Sequence, residues 1–240
     1  METYRIAAGS KALVFPCVTG LFYRGSLDRW CYVPPGHSYT SDKPAFLSST
    51  QGFWLKNKLV HALLSARDHY DMKTTDAEAV VLNSFFMPKA NRLKQIISAT
   101  DTPVVLTVHP WDVIFPGISR LLRQAESAGP AALYLPGRLP LATLRRICMN
   151  SSLPVISATS PQFNEISSRV GAGAYALCLS GTHISKRLVR NLHESFPSIP
   201  VLASCGRSKR KMRKCVKSGI DAVIFEPCIL SEPDLEKLFL

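Results

Sequence analysis

From about residue 77 the chain alternates short, nearly unbroken apolar runs with longer stretches in which apolar residues recur every three or four positions. The runs fall at 79–82, 104–108, 131–135, 155–158, 175–179, 201–203 and 222–225. Each has the length of a β-strand, and near-continuous apolar character is what a strand buried on both faces requires. The stretches between and after them, at 91–99, 118–127, 141–149, 163–170, 185–195, 208–218 and 232–239, predict helices. In one of these, Leu188, Val189 and Leu192 form an apolar stripe with Lys186, Arg187 and Arg190 off it. Stop signals follow the helices, among them Gly129-Pro130, Pro197 and Gly219. Strand–helix alternation of this kind predicts parallel strands joined by right-handed crossovers.

Seven such units are clear, and an eighth strand would close them into a (β/α)₈ barrel. The segment at 12–17 (ALVFPC) is the candidate, with 58–65 as its helix. The fold class expected is therefore α/β, a single barrel domain over 1–240. An open doubly wound sheet shares the local pattern, and the count of eight favours the barrel. Residues 18–52 break the pattern: they are rich in Gly, Pro and Ser and carry Phe22, Tyr23, Trp30, Tyr32 and Tyr39. A segment this long without periodicity is usually functional or disordered; its aromatics argue against simple disorder and suit an ordered loop or flap over one end of the barrel. It would serve equally as a dimer contact, so a homo-oligomer stays open.

The chain has 240 residues, near the usual size of such a barrel, and 46% of them are hydrophobic, enough for a sizeable core. No apolar run approaches a membrane span, and the N-terminus has no charged-then-apolar leader. The seven cysteines are odd in number and scattered, with no C-x-x-C pair and no zinc spacing. They fit a reducing compartment, and the whole reads as a soluble cytoplasmic protein. Lys and Arg number 29 against 17 Asp and Glu, a net charge of +12. That excess favours anionic partners, either phosphorylated or carboxylated small molecules or, as the weaker alternative, nucleic acid, and no membrane.

The strongest local motif is Ile199-Pro-Val-Leu-Ala-Ser-Cys-Gly-Arg207, followed by a helix and then Ser218-Gly-Ile-Asp-Ala-Val-Ile-Phe-Glu226. This resembles strands seven and eight of the phosphate-binding (ribulose-phosphate-binding-type) barrels. Pro154-Val-Ile-Ser-Ala-Thr-Ser-Pro161 is similar to the strand-five turn of the keto-deoxy-phosphogluconate aldolase group among them. The resemblance implies an anion site at Ser204, Gly206, Arg207 and Ser208. Glycine lets backbone N–H groups approach a phosphate, and the helix N-terminus adds partial positive charge. This chain has one glycine where the family often has two or three. Its eighth strand ends Phe225-Glu226-Pro227, where the family has small residues.

In a barrel, residues just past the strand ends face the active site. Those positions hold Asn83 and Ser84, His109 with Asp112, Arg138, Thr159 and Ser160, Ser180 with Thr182 and His183, Ser204 with Arg207 and Ser208, and Glu226. His109 is the leading general acid or base, because imidazole titrates near neutrality and Asp112 stands three residues on. His183 and Glu226 are further acid–base candidates. Arg138 offers a planar fork for a carboxylate or phosphate. A Schiff-base aldolase needs a lysine directed into the barrel, usually from strand six. Strand six (YALCL) has none, and Lys11 and Lys89 are badly placed. No cofactor is indicated; a divalent metal would find only Glu226, Asp112 and the histidines.

Two readings follow. One is a lyase, aldolase or isomerase of the phosphate-binding barrel type, acting on a phosphorylated sugar or keto acid. The other is a non-catalytic barrel that senses a ligand or binds an anionic partner. Its motivation is the reduced glycine motif, the missing barrel lysine and the net charge of +12, while the cations at Arg207, Lys209, Arg210, Lys211, Arg213, Lys214 and Lys217 read first as the solvated face of a helix and second as a nucleic-acid patch. Met212, Cys215 and Val216 keep an apolar stripe under those cations, as an outer barrel helix requires.

Overall fold

The structure is a computed structural model that describes residues 21–24, 30–33, 52–60, 62–66, 78–83, 89–180, 184–206 and 208–226. The chain divides into two compact units, Met1–Tyr39 with Cys228–Leu240, and Thr40–Pro227. In the first, β1 (Leu21–Arg24) pairs antiparallel with β2 (Trp30–Val33), Leu21 opposite Val33. These strands fall in the 18–52 segment. The strand expected at 12–17 and the helix at 232–239 lie outside the described residues.

The second unit opens with β3 (Phe53–Leu55) and β4 (Lys58–Val60), an antiparallel hairpin. Its two-residue turn, Lys56-Asn57, has positive φ at both positions (44° and 63°), the backbone that matches the twist of a tight hairpin. Eight parallel strands then close a barrel: β5 (Ala62–Ala66), β6 (Ala79–Leu82), β7 (Val104–Thr107), β8 (Ala132–Leu135), β9 (Val155–Thr159), β10 (Ala176–Leu179), β11 (Val201–Gly206) and β12 (Ala222–Phe225). Closure is made by β12 against β5, with Val223, Ile224 and Phe225 opposite Ala62, Leu63 and Leu64.

The first barrel strand corrects the sequence reading. Residues 58–65 are not a helix: they form β4 and most of β5. The cause is physical. Leu63 and Leu64 are both buried because this strand is covered on both faces, and a short apolar run of that kind carries no period that separates strand from helix. The seven later strands stand where the apolar runs place them, within a residue or two except at β11, which runs on to Gly206.

Among the described residues the helices are α1 (Ala90–Ser98), α2 (Pro110–Asp112), α3 (Ile118–Ala128), α4 (Leu141–Asn150), α5 (Phe163–Gly171), α6 (Lys186–Ser195) and α7 (Lys209–Lys217), with a π-helical turn at Val113–Gly117 between α2 and α3. Gly129, at φ 73°, ends α3 in the left-handed conformation that terminates helices at low cost. Strand residues divide by alternation. Val105, Ile156, Cys178, Leu202 and Ile224 point into the lumen. Leu106, Leu133 and Val155 pack outward against Leu93, Leu121 and Leu144 of the helices.

The β3–β4 hairpin fills the amino-terminal end of the barrel. Phe53, Leu55 and Val60 join the lumen cluster beside Leu63, Ala79, Ala132, Ala176 and Ala222, which stand at or near the starts of their strands. Polar contacts fix it there: Gly52 N–H donates to Asp221 O (2.7 Å), Lys58 Nζ to Asp101 O (2.7 Å), and the Tyr175 hydroxyl to Trp54 O (3.2 Å). Lys56 Nζ donates to Gly129 O. The partners Asp101, Gly129, Tyr175 and Asp221 lie on loops leading into β7, β8, β10 and β12, so the hairpin is tied around the rim.

Candidate functional site

With one end filled, the candidate site is the rim at the other end, where the strands finish. The inward side of the alternation, continued past β6 to β10 and β12 and to the last residue of β11, reaches Asn83, His109, Pro136, Ser160, Ser180, Glu226 and Gly206. The structure groups the candidates into three sectors around this rim.

The first sector follows β7 and β8. His109 caps α2, and its N–H donates to Asp112 Oδ2 (2.9 Å) while Asp112 N–H donates to His109 O (3.0 Å). Asp112 is buried and holds the His109 backbone, setting the angle at which the imidazole leaves the strand. His109 is half-buried, with Nε2 sealed from solvent. Trp111 and Ile114, by contrast, are 63% and 59% exposed, an apolar lip beside the histidine. Arg138 is exposed in the turn after β8.

The second sector follows β9 and β10. Ser180 N–H and Oγ both donate to Thr159 O (2.9 and 3.1 Å), stitching the two strand ends together. Thr159 is fully buried on the helix-facing side of β9, and its hydroxyl donates to Ser160 O (3.2 Å). Its side chain is thus turned away from the lumen. Ser160 is half-buried and donates to Glu165 of α5.

The third sector follows β11 and β12. A register shift between Ser204 and Gly206 marks a bulge at the end of β11. Gly206 takes φ 57°, and a Cβ placed on it would meet nothing within 4 Å, so the space above this turn is open. Ser208 caps α7, accepting from Lys211 N–H (3.2 Å). Glu226 N–H donates to Gly206 O (2.9 Å), and Glu226 Oε2 is sealed from solvent. The Gly206 turn and the terminal glutamate are therefore neighbours. Ser84, Thr182, His183 and Arg207 lie outside the described residues.

Behind the second sector lies a buried network that the sequence reading missed. Arg169, 5% exposed, donates from Nη1 to Ser157 Oγ (3.0 Å), from Nη2 to Gly137 O (2.5 Å) and from Nε to Glu165 Oε1 (3.2 Å). Burial alone would raise the Glu165 carboxyl, but hydrogen bonds from Ser160 and Arg169 and the Arg169 charge hold it below its ordinary value. One signal was available in the sequence: Arg169 stands three residues after Ile166, on the apolar stripe of its helix. A cation on a buried stripe needs partners.

The lumen itself contains polar groups. Tyr134 and Cys178 meet there, and burial, then the thiol beside it, holds the Tyr134 phenol well above its usual range. Burial pushes the Cys178 thiol up to about 12. Behind the Gly206 turn, interaction between the Cys205 and Cys215 thiols raises the first and lowers the second. Both are buried and free. Among the described residues, no three His, Cys, Asp or Glu side chains gather as a metal site, and no helix is long and apolar enough to cross a membrane.

No protein-family model matches the chain, and no curated protein matches its sequence. Solved structures match in fold. A Burkholderia cenocepacia protein provisionally assigned as a phosphonomutase is 18% identical over 80% of this chain and 92% of its own, with a TM-score of 0.52. The tryptophan synthase α-subunit of Pyrococcus furiosus is 15% identical over 73% of this chain and 89% of its own, TM-score 0.53. A U32 peptidase is 10% identical over 74% and 96%, TM-score 0.53. At these identities the likeness is one of fold, the closed eight-stranded parallel barrel.

Proposed function

We propose that the chain is a barrel enzyme acting on a small phosphorylated sugar or keto acid, as a lyase, aldolase or isomerase. The observation that carries this reading is the turn at Gly206. A bulged strand end, a left-handed glycine with open space above it, and the capped start of a basic helix follow one another there. Backbone N–H groups and the helix dipole together make such a turn suited to an anion. Arg207 and Ser208 complete the set.

If phosphate is held at this turn, the remainder of the substrate extends across the mouth. Glu226 is tied by its backbone to Gly206 and stands at the phosphate end of the rim. His109 stands three strands away round the barrel, oriented by Asp112. A lyase or isomerase needs a proton removed at one atom and delivered at another, and these two side chains are the rim groups suited to it. Arg138, Ser160 and Ser180 would bind carboxylate, carbonyl or hydroxyl oxygens, and His183 is a further acid–base candidate. None of the strands β5 to β12 contains a lysine, so the proposal involves no Schiff base formed on a strand. The same scaffold carries a synthase subunit and a mutase among its structural neighbours, which gives general support to an enzyme, while fold alone assigns no reaction.

The test is a thermal-shift and calorimetric titration with inorganic phosphate and a panel of sugar and keto-acid phosphates. Phosphorylated ligands should stabilise the wild-type chain, and Gly206→Ala, which puts a Cβ into the space above the turn, should weaken that stabilisation while the chain still folds by circular dichroism. His109→Asn and Glu226→Gln should keep binding and lose turnover of any panel member that the wild type converts. Absence of stabilisation by every phosphorylated compound would overturn the proposal.

A further inference from the structure

A second feature of the barrel lies away from the mouth. Ten of the 29 Lys and Arg residues fall between Lys186 and Lys217, and only one of the 17 acidic residues, Glu194, does. Nine of those ten stand on two helices, α6 and α7. α6 and α7 both pack on β11, and their apolar stripes meet in one cluster: Val189 and Leu192 from α6, Cys215 and Val216 from α7. The opposite faces are turned to solvent. Lys186, Arg187 and Arg190 of α6 are exposed, as are Arg210, Arg213, Lys214 and Lys217 of α7.

The placement of these charges runs against helix stability. Arg210 and Lys214, Arg213 and Lys217, and Lys186 and Arg190 are like-charge pairs four residues apart, which repel on a helix surface. The first turn of α7 holds Lys209, Arg210 and Lys211 and no acid, against the helix dipole. Glu194 meets Arg190 at 3.8 Å, across an exposed pair. A fold that needs only solubility would intersperse both signs. A concentration of like charge against these local rules is the kind of inconsistency that functional surfaces carry.

We infer that the outer face of α6 and α7 binds the phosphate backbone of a nucleic-acid duplex, independently of whatever the mouth binds. Side chains three and four apart on a helix stand ~5–6 Å from one another. α6 and α7 lie side by side on β11 and share one apolar cluster. Two such rows of cations can meet phosphates on both sides of a groove, whose charges recur every ~3.4 Å along each strand. The face contains no aromatic side chain to stack on splayed bases, so a paired backbone suits it better than a single strand. None of the exposed large hydrophobic residues belongs to α6 or α7, so the apolar face that a membrane-lying helix requires is missing from both.

The experiment measures anisotropy of a labelled, mixed-sequence DNA duplex with the full chain, between ~50 and ~200 mM salt. Affinity should fall steeply with salt. The triple variant Arg187→Gln, Lys214→Gln, Lys217→Gln should weaken binding at least tenfold and reduce the salt slope by about 2 to 3, about one for each phosphate no longer neutralised. A control triple, Arg120→Gln, Arg145→Gln, Arg146→Gln, removes the same charge from exposed positions on α3 and α4, and should retain most of the affinity. The conservative double variant Lys214→Arg, Lys217→Arg should bind as the wild type does, which separates charge from helix integrity. Equal losses in the two triples would reduce the effect to net charge and overturn the inference. So would absence of duplex binding, or retention on vesicles of anionic lipid without it. None of these readouts depends on phosphorylated small molecules, so this face and the mouth stand or fall separately.

Discussion

The guanidinium of Arg169 donates to the carbonyl of Gly137, 2.5 Å away, and so joins α5 to the loop after the fourth barrel strand. The same group holds Ser157 and Glu165. Arg138 follows the anchored carbonyl directly, which makes Arg169 a positioning residue for the rim. Replacing it by Met leaves a buried hydroxyl and a carboxylate short of a partner. Glu165 keeps some solvent access and Ser160, so the expected loss is about 2–3 kcal/mol. Urea unfolding followed by tryptophan fluorescence should show a lower midpoint at unchanged slope.

Acid should weaken the same network. The Glu165 carboxyl is held below its ordinary value, so its contribution is complete at neutral pH and is lost as pH falls through the carboxylate range. Glu165→Gln should be less stable than the wild type at neutral pH and should show a flatter decline between about pH 5 and pH 2. Parallel stability curves for the two proteins would contradict this.

Gly137 leaves little room for a side chain. A Cβ there would lie 3.2 Å from Ala158 O, on the strand the loop crosses. Gly137→Ala should cost about 1–2 kcal/mol through the backbone shift it forces. Because the shifted carbonyl is the one Arg169 binds, the double variant with Arg169→Met should lose less than the sum of the single losses. Strict additivity in denaturant unfolding would refute the coupling.

Gly206 is required by its backbone angle instead. Alanine at φ 57° meets no atom but adopts the left-handed conformation at a cost of about 1–2 kcal/mol. Gly206→Ala should therefore fold, with a modestly lower melting temperature by calorimetry. Gly206→Asn, which tolerates that conformation better, should recover part of the difference.

How much of this is legible in the sequence differs from element to element. The strands β6 to β12 are visible because double burial leaves runs of four or five apolar residues bounded by turn signals. β5 is misread because Leu59, Val60, Leu63 and Leu64 fit a helical stripe as well as two strands in succession. The rim positions of His109, Asp112, Ser180, Gly206 and Glu226 follow from where strands end. The inward or outward sense of Thr159 does not, since a strand buried on both faces gives no polar alternation to read. Arg169 escapes because its partners, Ser157 and Gly137, come from other elements, and only the closed barrel brings them together.

Truncating the hairpin's aromatic, Phe53→Ala, removes a side chain buried to 2% exposure in the lumen cluster. The expected cost is about 3–5 kcal/mol, read as a large drop in urea midpoint.

That hairpin also gives the barrel a direction. Phe53, Leu55 and Val60 continue the packed lumen past the starts of the strands, so the two ends of the barrel are chemically unlike: apolar side chains at one, and His109, Ser180 and Glu226 at the other. Substitutions at the first end should register in stability, and those at the second in whatever the rim binds.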